Sequence, residues 1–348
     1  MSLARERRMP SAAATASVLY FVALLAVWGA LGWVGERCWV TGITLYLPRI
    51  VFAAPLPIVV VWLAASRAKW RSWMFLLPVV ALLAALMGFV PPSWTSRAAE
   101  GPTMRVLAYN VDGEIGSASG IADEIERYSP DAVFLEEMGA AEPLSGLLRS
   151  HYETVRTTSQ FLLATRYRLV SVTEPERLSY AGKLRSPRFV RYVLDTSLGQ
   201  VVFYNVHPIS PRESFYEVRG PQGLRHELFT GRVFSNAHSN FYANSGLRAL
   251  QVQAFTEAAS RETDPVLIAG DTNLPDLSPV FRRFLSGYQD GFATVGWGFG
   301  YTFPTNRVPW MRIDRILATK QLRFVGFQSG QSRVSDHLCV LADLQRAP

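Results

Sequence analysis

Long apolar runs fill the N-terminal part of the chain. Three stretches approach the ~20 residues that cross the hydrocarbon layer of a bilayer, and they cover Ala16–Gly35, Tyr46–Ala65 and Trp73–Val90. Arg49 and several prolines interrupt the second stretch, so an interfacial segment followed by a short span is an alternative to a full crossing there. The first stretch exceeds the apolar core of a signal peptide and further apolar segments follow it, which favours a retained anchor. The pattern predicts a transmembrane region of about three helices over residues 1–95.

Short apolar segments alternate with helical or loop segments after the Pro-Pro-Ser linker at residues 91–93. Most of these segments carry apolar residues at successive positions, which is typical of strands buried on both faces. The predicted strands are Met104–Asn110, Ala132–Glu136, Phe161–Thr165, Phe189–Asp195, Val201–His207, Val266–Ala269, Asp314–Ala318 and Leu338–Leu344, and the predicted helices are Gly120–Tyr128 and Asn244–Glu262. This pattern predicts an α/β domain over residues 101–348, with two sheets packed face to face and covered by helices.

Charge is distributed unevenly between the two parts. The chain has a formal net charge of +7, and residues 1–100 contribute +6 of it. Binding to nucleic-acid phosphates depends on clustered Lys and Arg. The near-neutral charge of the remaining residues therefore disfavours a nucleic-acid partner. The alternative is a local basic groove within that part of the chain. The two cysteines provide neither a disulfide framework nor zinc-type spacing.

Basic residues in short loops predict the orientation, because such loops stay in the cytoplasm. One cluster, Arg5, Arg7 and Arg8, precedes the first apolar stretch, and another, Arg67, Lys69 and Arg71, lies between the second and third. With three crossings, both clusters lie on the cytoplasmic side of a bacterial cytoplasmic membrane and the α/β domain lies on its outer side. Two crossings would leave that domain in the cytoplasm, so the orientation depends on the second stretch.

Polar side chains cluster at the predicted strand ends. They are Asn110, Glu136, Glu137, His207, Asp271, Asn273, Asp314 and the run Ser335-Asp336-His337. Carboxylates and amides with few cysteines suit a hard cation such as Mg²⁺ or Mn²⁺. Taken singly, these residues also fit purely structural roles, since Asp271 and Asn273 could be turn formers and Asp314 could pair with a neighbouring arginine.

The order of six short motifs resembles the endonuclease/exonuclease/phosphatase superfamily, over about Met104 to Leu344. The motifs are Leu107-Ala-Tyr-Asn110, Phe134-Leu-Glu-Glu137, Asn205-Val-His207, Gly270-Asp-Thr-Asn273, Arg312-Ile-Asp314 and Ser335-Asp-His337. The resemblance implies a four-layered α/β sandwich and metal-dependent phosphoester hydrolysis. Where relatives commonly have Gln-Glu, this chain has Glu136-Glu137. The resemblance therefore assigns the role of metal ligand to Glu137 by position, and Glu136 is the competing candidate.

The resemblance also implies a role for each residue of the site. A divalent metal, Mg²⁺ with Mn²⁺ or Ca²⁺ as alternatives, is held by Glu137 with Asn110 and Asp336. Asp271 activates the attacking water, and Asn273 positions that water. His207 and His337 bind the phosphoryl group, and Asp314 orients His337. Arg188, Arg191 and Arg212 are weaker candidates for binding substrate phosphate, and surface charges are an equal alternative for them.

Three substrate classes fit this sequence. A lipid phosphate suits an outward-facing domain tied to the membrane, because tethering both partners to one surface raises their effective concentration. The loop Pro208–Tyr242 carries apolar residues that could enter the membrane interface or close over the domain's own core. The layout is similar to membrane-anchored bacterial VanJ-type proteins, which implies undecaprenyl pyrophosphate or a related envelope lipid. The alternatives are an extracytoplasmic nuclease and a catalytically silent binding domain.

Overall fold

The computed structural model describes residues 12–66, 70–92, 100–114, 117–139, 141–212, 233–331 and 334–348. The chain divides into two units, Met1–Phe89 and Val90–Pro348. The basic residues at positions 5, 7, 8, 67 and 69, and residues 213–232 of the loop singled out in the sequence, lie outside the described residues.

The N-terminal unit is helical. Its α-helices are Ala12–Gly29, Trp39–Leu45, Pro55–Ala65, Trp70–Trp73 and Leu76–Leu86. A π-helical turn and a 3₁₀ turn extend the first into a continuous helix, Ala12–Arg37, of 26 residues that is long and apolar enough to cross a membrane. Few charges and no proline interrupt this segment, so its backbone groups are satisfied by its own helical hydrogen bonds.

The second predicted span is broken. Trp39–Leu45 and Arg49–Ala65 meet at a bend of 98°, where proline removes backbone donors and restricts the residue before it. The Arg49 side chain is buried at this bend and donates to the Leu86 carbonyl at 2.9 Å. The third stretch forms a helix over Leu76–Leu86 only. Among the described residues, therefore, one straight helix has the length of a full span, and the further crossings stay predictions.

The described residues of the C-terminal unit form fourteen strands. They are β1 (Met104–Asn110), β2 (Ala132–Glu136), β3 (Thr154–Thr158), β4 (Phe161–Thr165), β5 (Arg168–Thr173), β6 (Leu178–Tyr180), β7 (Lys183–Arg185), β8 (Phe189–Thr196), β9 (Gly199–Val206), β10 (Val266–Asp271), β11 (Gln289–Asp290), β12 (Asp314–Ala318), β13 (Leu322–Ser329) and β14 (Val340–Arg346). Its helices are Ala118–Tyr128, Ala141–Leu148, Val233–Ala259, Pro279–Phe284 and Gly291–Val295, with a 3₁₀ turn at Asp112–Glu114.

Two six-stranded sheets carry the fold, in the orders β13-β14-β1-β2-β4-β3 and β11-β12-β10-β9-β8-β5, and β6 and β7 form a separate hairpin. Between the sheets lies an apolar core in which Phe134 stacks on Phe203 with ring centroids 5.0 Å apart. Full burial of one such side chain contributes about 1.5–3 kcal/mol. A second cluster lies between the first sheet and helices that include Ala118–Tyr128, and a third covers the outer face of the second sheet. The predicted four-layered α/β sandwich is thus confirmed.

The topology brings the polar strand ends together. β1 and β2 pair in parallel in the first sheet, and β9 and β10 pair in parallel in the second. The carboxyl ends of both pairs lie at one edge of the sandwich. The antiparallel strands β12 and β14 begin at that edge, since Asp314 opens β12 opposite Asp271 and His337 precedes β14.

Candidate active site

Asn110 links the two sheets at the floor of the site. Its buried side chain donates from Nδ2 to Glu137 Oε1 at 3.0 Å and to Asp271 Oδ2 at 3.3 Å. Its Oδ1 accepts the backbone N–H of Asp112 at 3.0 Å. All the hydrogen-bonding atoms of this amide are thus in use, as a buried polar group requires, and the amide fixes two carboxylates against each other.

The two consecutive glutamates have different environments. Glu137 follows β2 with φ 55° and places Oε1 3.2 Å from His207 Nε2. Burial raises the pKa of Glu137, but the hydrogen bond and charge of His207 and the Asn110 amide outweigh it and lower the pKa to about 2. Glu136 is fully buried, and neither of its carboxyl oxygens makes a hydrogen bond of normal geometry. The structure therefore places Glu137, and not its competitor Glu136, among the polar groups of the site.

Burial raises the pKa of Glu136 well above its usual range, and the charges of Asp314, Asp271 and Glu137 act in the same direction. The backbone N–H of Asp271 opposes them more weakly. Glu136 is therefore the side chain here that favours its neutral form, since a buried charge without a partner is costly. In that form it carries one O–H donor and resembles a glutamine in shape and polarity.

His337 is held by a carboxylate. Its Nδ1 donates to the Asp314 carboxylate at 2.9 and 3.0 Å. Its Nε2 lies 3.9 Å from Asp271 Oδ2 and 3.6 Å from Asp336 Oδ1. Burial lowers the pKa of His337, but the Asp314, Asp271 and Asp336 carboxylates outweigh it and raise the pKa to about 10. The imidazole is thus charged at neutral pH and oriented to donate from Nε2.

His207 lies on the other side of Asp271. Its Nε2 is 3.7 Å from Asp271 Oδ2, and its Nδ1 is 3.0 Å from Gln160 Oε1. The contact with Gln160 fixes the orientation of the imidazole, because a side-chain amide can accept from or donate to a ring nitrogen. Gln160 comes from the turn between β3 and β4, and sequence reasoning missed it because nothing in that turn resembles a catalytic motif.

Asp271 lies between the two histidines. The Asn273 backbone N–H donates to its Oδ1 at 2.8 Å, and the Asn273 amide donates to its Oδ2 at 3.2 Å and to the Pro208 carbonyl at 3.0 Å. Burial raises the pKa of Asp271, as does the Asp314 charge, while the two histidines act against them. A carboxylate whose pKa rises toward the working pH is better suited to accept a proton.

Backbone strain is concentrated at this edge. Four non-glycine residues near the site have positive φ, namely Asp112 at 46°, Glu137 at 55°, Arg188 at 53° and Asn273 at 50°. Such conformations cost about 1–3 kcal/mol each and persist where the surroundings impose them. The strained turns are those that aim the Glu137 and Asn273 side chains at Asn110 and Asp271.

The donor set fits a divalent cation. Asp112 has a pKa raised to about 6, first by burial and then by the charges of Asp336 and Glu137. The negative charges of Asp336 and Glu137 thus act on Asp112 near the Asn110 amide, and a hard cation would offset this repulsion. Asp271, Asp314 and His337 also offer ligand atoms within 4.8 Å of one another, but both Asp314 oxygens already accept His337 Nδ1. The first group therefore suits a metal better; sequence reasoning missed Asp112 because it lies in a glycine-containing turn without a motif.

The three candidate arginines make different contacts. Arg212 Nη2 donates to Asp336 Oδ2 at 2.8 Å, and its guanidinium lies 4.6 Å from the centre of the Phe303 ring, which also packs on His337. Arg188 is half-buried, and its carbonyl accepts the His207 backbone N–H at 2.9 Å. Arg191 makes a bidentate pair with Glu262 at 2.6 and 2.9 Å. Its guanidinium is therefore committed to tying β8 to the end of the long helix, which corrects the interpretation of Arg191 as a phosphate ligand.

A buried ion-pair network supports the strand that carries Asp314 and the loop that carries Asn273. Arg312 and Arg315 flank Asp314, and both donate to Asp276 and Asp290 at 2.5–3.0 Å. Asp314 therefore pairs with His337 and leaves the neighbouring arginines to these two aspartates. Asp276 lies in the loop that begins with Asn273, so the network fixes that loop against β12.

Ser335 completes the setting of His337. Its hydroxyl donates to the Asn110 carbonyl at 2.8 Å and accepts the His337 backbone N–H at 3.2 Å. The structure thus brings together Asn110, Glu137, His207, Asp271, Asn273, Asp314, Asp336 and His337 at one edge, with Arg212 and Arg188 beside them.

Solved structures share this architecture at low sequence identity. Humanized D. rerio TDP2 with 14 mutations is 17% identical, with a TM-score of 0.51 over 70% of this chain and 99% of that one. An endonuclease/exonuclease/phosphatase from Beutenbergia cavernae DSM 12333 is 17% identical, with a TM-score of 0.48 over 70% and 72% of the two chains. A family protein from Leptotrichia buccalis C-1013-b is 14% identical, with a TM-score of 0.48 over 70% and 99%.

At such identities the likeness concerns the fold alone. No curated protein sequence matches the chain significantly. A model of the Endonuclease/Exonuclease/phosphatase family matches residues 107–337, which include every motif from Leu107 to His337. The chain belongs to this family and is a metal-dependent phosphoric ester hydrolase.

Proposed function

We propose that the chain is a membrane-anchored phosphoesterase that hydrolyses a phosphate ester or pyrophosphate bond of a lipid at the outer face of a bacterial cytoplasmic membrane. The observation that carries the chemistry is the position of Asp271 between His207 and His337, with Oδ2 3.7 and 3.9 Å from their Nε2 atoms. A base flanked by two hydrogen-bond donors suits the attack of water on a phosphoryl group. Positioning and electrostatics provide most of the catalysis of phosphoryl transfer.

In the proposed reaction Asp271 accepts a proton from the attacking water while the water oxygen forms a bond to phosphorus. The bond from phosphorus to the leaving oxygen breaks, and that oxygen keeps the electron pair and takes a proton from solvent. Asn273 orients Asp271 through its two hydrogen bonds. His207 and the charged His337 donate from Nε2 to the phosphoryl oxygens as negative charge builds up on them.

A divalent cation, with Mg²⁺ the first choice and Mn²⁺ or Ca²⁺ as alternatives, would be held by Glu137, Asn110 and Asp336 and act as a Lewis acid on the phosphoryl oxygens. Asp112 is close enough to this group to raise the negative charge there. Arg212 holds Asp336 by a 2.8 Å hydrogen bond and adds a positive charge at the rim of the site. Arg188 contacts His207 through its backbone carbonyl, and its side chain is a further candidate for binding phosphate.

Two features support a lipid substrate. The helix Ala12–Arg37 has the length and composition of a membrane anchor, and an anchored enzyme meets lipid substrates at high effective concentration. The residues after position 100 are nearly neutral in sum, whereas nuclease grooves depend on an excess of positive charge. Undecaprenyl pyrophosphate and phospholipid-like esters are the substrates that we would test first.

A substrate panel tests this proposal. The full chain in detergent is assayed with Mg²⁺, Mn²⁺ and Ca²⁺ against a polyprenyl pyrophosphate, a phospholipid, bis(4-nitrophenyl) phosphate and plasmid DNA. We expect turnover of a lipid that Asp271→Asn abolishes and that Asp195→Asn retains, since Asp195 makes only an exposed pair with Arg168. DNA cleavage without lipid turnover would establish the nuclease alternative, and no turnover of any ester would establish a silent binding domain.

The orientation is tested separately. A reporter fused after Pro348 that is active only outside the cytoplasm should be active in cells if the catalytic unit faces outward. Activity of a reporter that requires the cytoplasm would reverse the orientation but leave the chemistry of the site unchanged.

A further inference from the structure

A segment beside the active site exposes apolar side chains. Residues Gly296–Met311, here called the Trp297 loop, connect the short helix Gly291–Val295 to the approach of β12. Trp297 is 72% exposed and Val308 is 82% exposed, and these are the two most exposed large hydrophobic residues among the described residues of the chain. Arg307, next to Val308, is also exposed. Single exposed apolar side chains are common on protein surfaces, so what these residues contact depends on where the loop lies.

The Trp297 loop is fixed to the catalytic motif. The Thr305 N–H donates to the Asp336 carbonyl at 2.8 Å, and the Leu338 N–H donates to the Thr302 carbonyl at 2.9 Å. Between these two bonds the Phe303 ring packs on the His337 imidazole, with ring centres 4.5 Å apart. These bonds fix the middle of the loop against the catalytic motif, whereas Trp297 and Val308 take no part in them.

The Trp297 loop also forms backbone hydrogen bonds with the segment that directly follows the N-terminal apolar residues. Val90 and Gly298 form an isolated antiparallel bridge, with Val90 N–H to Gly298 carbonyl at 2.8 Å and Gly298 N–H to Val90 carbonyl at 2.9 Å. Gly298 has φ 88°, which suits glycine. Val90 follows Leu86, the last residue of the apolar helix Leu76–Leu86, by four residues. Four residues of extended chain reach at most about 14 Å.

We infer that the Trp297 loop docks on the surface of a lipid bilayer and presents the active site to lipid headgroups. The inference rests on the membrane anchoring in the proposed function, because an apolar unit embedded in the bilayer keeps Val90, and through it Gly298 and Trp297, near the interface. Tryptophan is the side chain that most favours this region. Val308 inserts an apolar side chain, and Arg307 beside it pairs with anionic headgroups.

Depth-dependent quenching tests the docking. The full chain, with Cys38→Ser to leave only the buried Cys339, receives one cysteine at a time for labelling with a nitrobenzoxadiazole fluorophore, in nanodiscs of phosphatidylcholine and phosphatidylglycerol. The test positions are Trp297→Cys and Val308→Cys. Lys320→Cys is the negative control, because Lys320 is exposed beyond the far end of β12. Val61→Cys, in the helix Pro55–Ala65 and 66% exposed, is the positive control for anchoring.

Lipids with a nitroxide on the acyl chain should quench the labels at positions 297, 308 and 61 and leave the label at 320 at its value without nitroxide. Quenching at 61 without quenching at 297 and 308 would overturn the docking and leave the anchor intact. Absence of quenching at 61 would overturn the anchor and the docking with it. Cross-linking between copies through 297, in place of quenching, would show that a second copy covers the loop and would also overturn the docking.

A kinetic readout separates docking from substrate choice. The variant carrying Trp297→Asp and Val308→Asp should show a raised apparent KM for a lipid phosphate in nanodiscs, with unchanged turnover of soluble bis(4-nitrophenyl) phosphate. If the lipid is turned over equally well by the variant and by the natural chain, the docking is wrong although the lipid substrate is right. If the labels are quenched but only DNA is cleaved, the docking stands and the lipid substrate is wrong.

Discussion

Asp271 and Asp314 face each other as cross-strand partners at the end of the β10–β12 ladder, and His337 bridges them. Its Nδ1 is 2.9 Å from Asp314 Oδ1, and its Nε2 is 3.9 Å from Asp271 Oδ2. Two like charges directly opposite each other on a sheet are destabilising. A protonated imidazole between them offsets this repulsion, so the arrangement that fixes His337 also stabilises the pair of carboxylates.

The first prediction follows from that bridge. Asp314→Asn removes the charge that, after the opposing effect of burial, contributes most to raising the pKa of His337. We expect the pKa of His337 to fall and activity to drop by about 10²–10⁴-fold, the usual contribution of a positioned acid or base. Because a raised histidine pKa keeps the charged form up to high pH, the alkaline limb of the rate profile should move to lower pH in the variant.

The measurement is a pH–rate profile with bis(4-nitrophenyl) phosphate at saturating metal. Asp195→Asn, at an exposed ion pair, serves as the control and should keep the wild-type profile. An Asp314→Asn enzyme with an unchanged alkaline limb would show that His337 does not act in its charged form.

The central strands of the sandwich are predictable because their signal is local. β1, β2, β4 and β12 have the bounds predicted from the sequence, since each contains a run of buried apolar residues at successive positions. The outer strands β3, β5 and β13 were missed because they are partly exposed and carry charged or polar residues. The helix predicted at Asn244–Glu262 begins earlier, at Val233, where small polar residues give no apolar period.

The site was predictable from its motifs, but its connections were not. Gln160 and Asp112 lie in turns without a motif, and the Glu262 partner of Arg191 is 71 residues away. The choice between Glu136 and Glu137 depends on one backbone angle, because adjacent residues on a strand point to opposite faces. The positive φ of Glu137 turns its side chain toward Asn110.

The second prediction concerns Glu136. Its pKa is raised in the folded state by burial and by neighbouring carboxylates, so the folded state holds a proton that the unfolded state releases above its ordinary pKa of about 4.3. Stability should therefore fall as pH rises from that value toward the pKa in the folded state. Glu136→Gln removes this loss of stability. We expect the free energy of unfolding to rise by on the order of 1 kcal/mol at pH 7, and we expect this difference from the natural chain to disappear near pH 4.

Thermal unfolding of the full chain in detergent, with a chelator present to exclude metal effects, measures this difference. Glu126→Gln is a matched control, because Glu126 is an exposed glutamate of the helix Ala118–Tyr128. If Glu136→Gln were destabilising at neutral pH, an ionised Glu136 would have to have a partner in the fold.

The third prediction concerns the buried network of Arg312, Arg315, Asp276 and Asp290. Burial raises the pKa of Asp290, but the two arginines outweigh it and lower the pKa. Removing one partner of a buried ion pair costs about 3–5 kcal/mol, so we expect this loss for Asp290→Ala. An exposed pair contributes about 0–1 kcal/mol, so Asp195→Ala should cost no more than that.

The pH dependence of this effect has the opposite sign to that of Glu136. A depressed carboxyl pKa contributes stability that is present above the ordinary value of about 3.9 and is lost as pH falls through the pKa of the folded state. The difference in unfolding midpoint between the natural chain and Asp290→Ala should therefore shrink below about pH 4. A constant difference down to the acid limit would mean that lost packing, and not the ion pairs, explains the destabilisation.

The fourth prediction assigns the metal to one of the two glutamates. A ligand that binds only the folded state raises its stability, by about 2.7 kcal/mol at a concentration of 100 times Kd. Glu137 contacts the Asn110 amide, and its charge and that of Asp336 act on Asp112, whereas Glu136 is fully buried and favours its neutral form. Mg²⁺ or Mn²⁺ should therefore raise the unfolding midpoint of the natural chain and of Glu136→Gln, and Glu137→Gln should lose most of this rise.

Unfolding midpoints measured over a metal titration decide this without any assay of activity, and a chelator should return the natural chain to its metal-free midpoint. Phosphoester hydrolysis should stop under the same chelation. If Glu136→Gln lost the metal-induced rise and Glu137→Gln kept it, the buried glutamate would be the ligand, and the polar cluster built on Asn110, Glu137 and His207 would serve to bind substrate. The two variants make the same substitution at adjacent positions, so the exchange of a carboxyl for an amide cannot by itself produce opposite results.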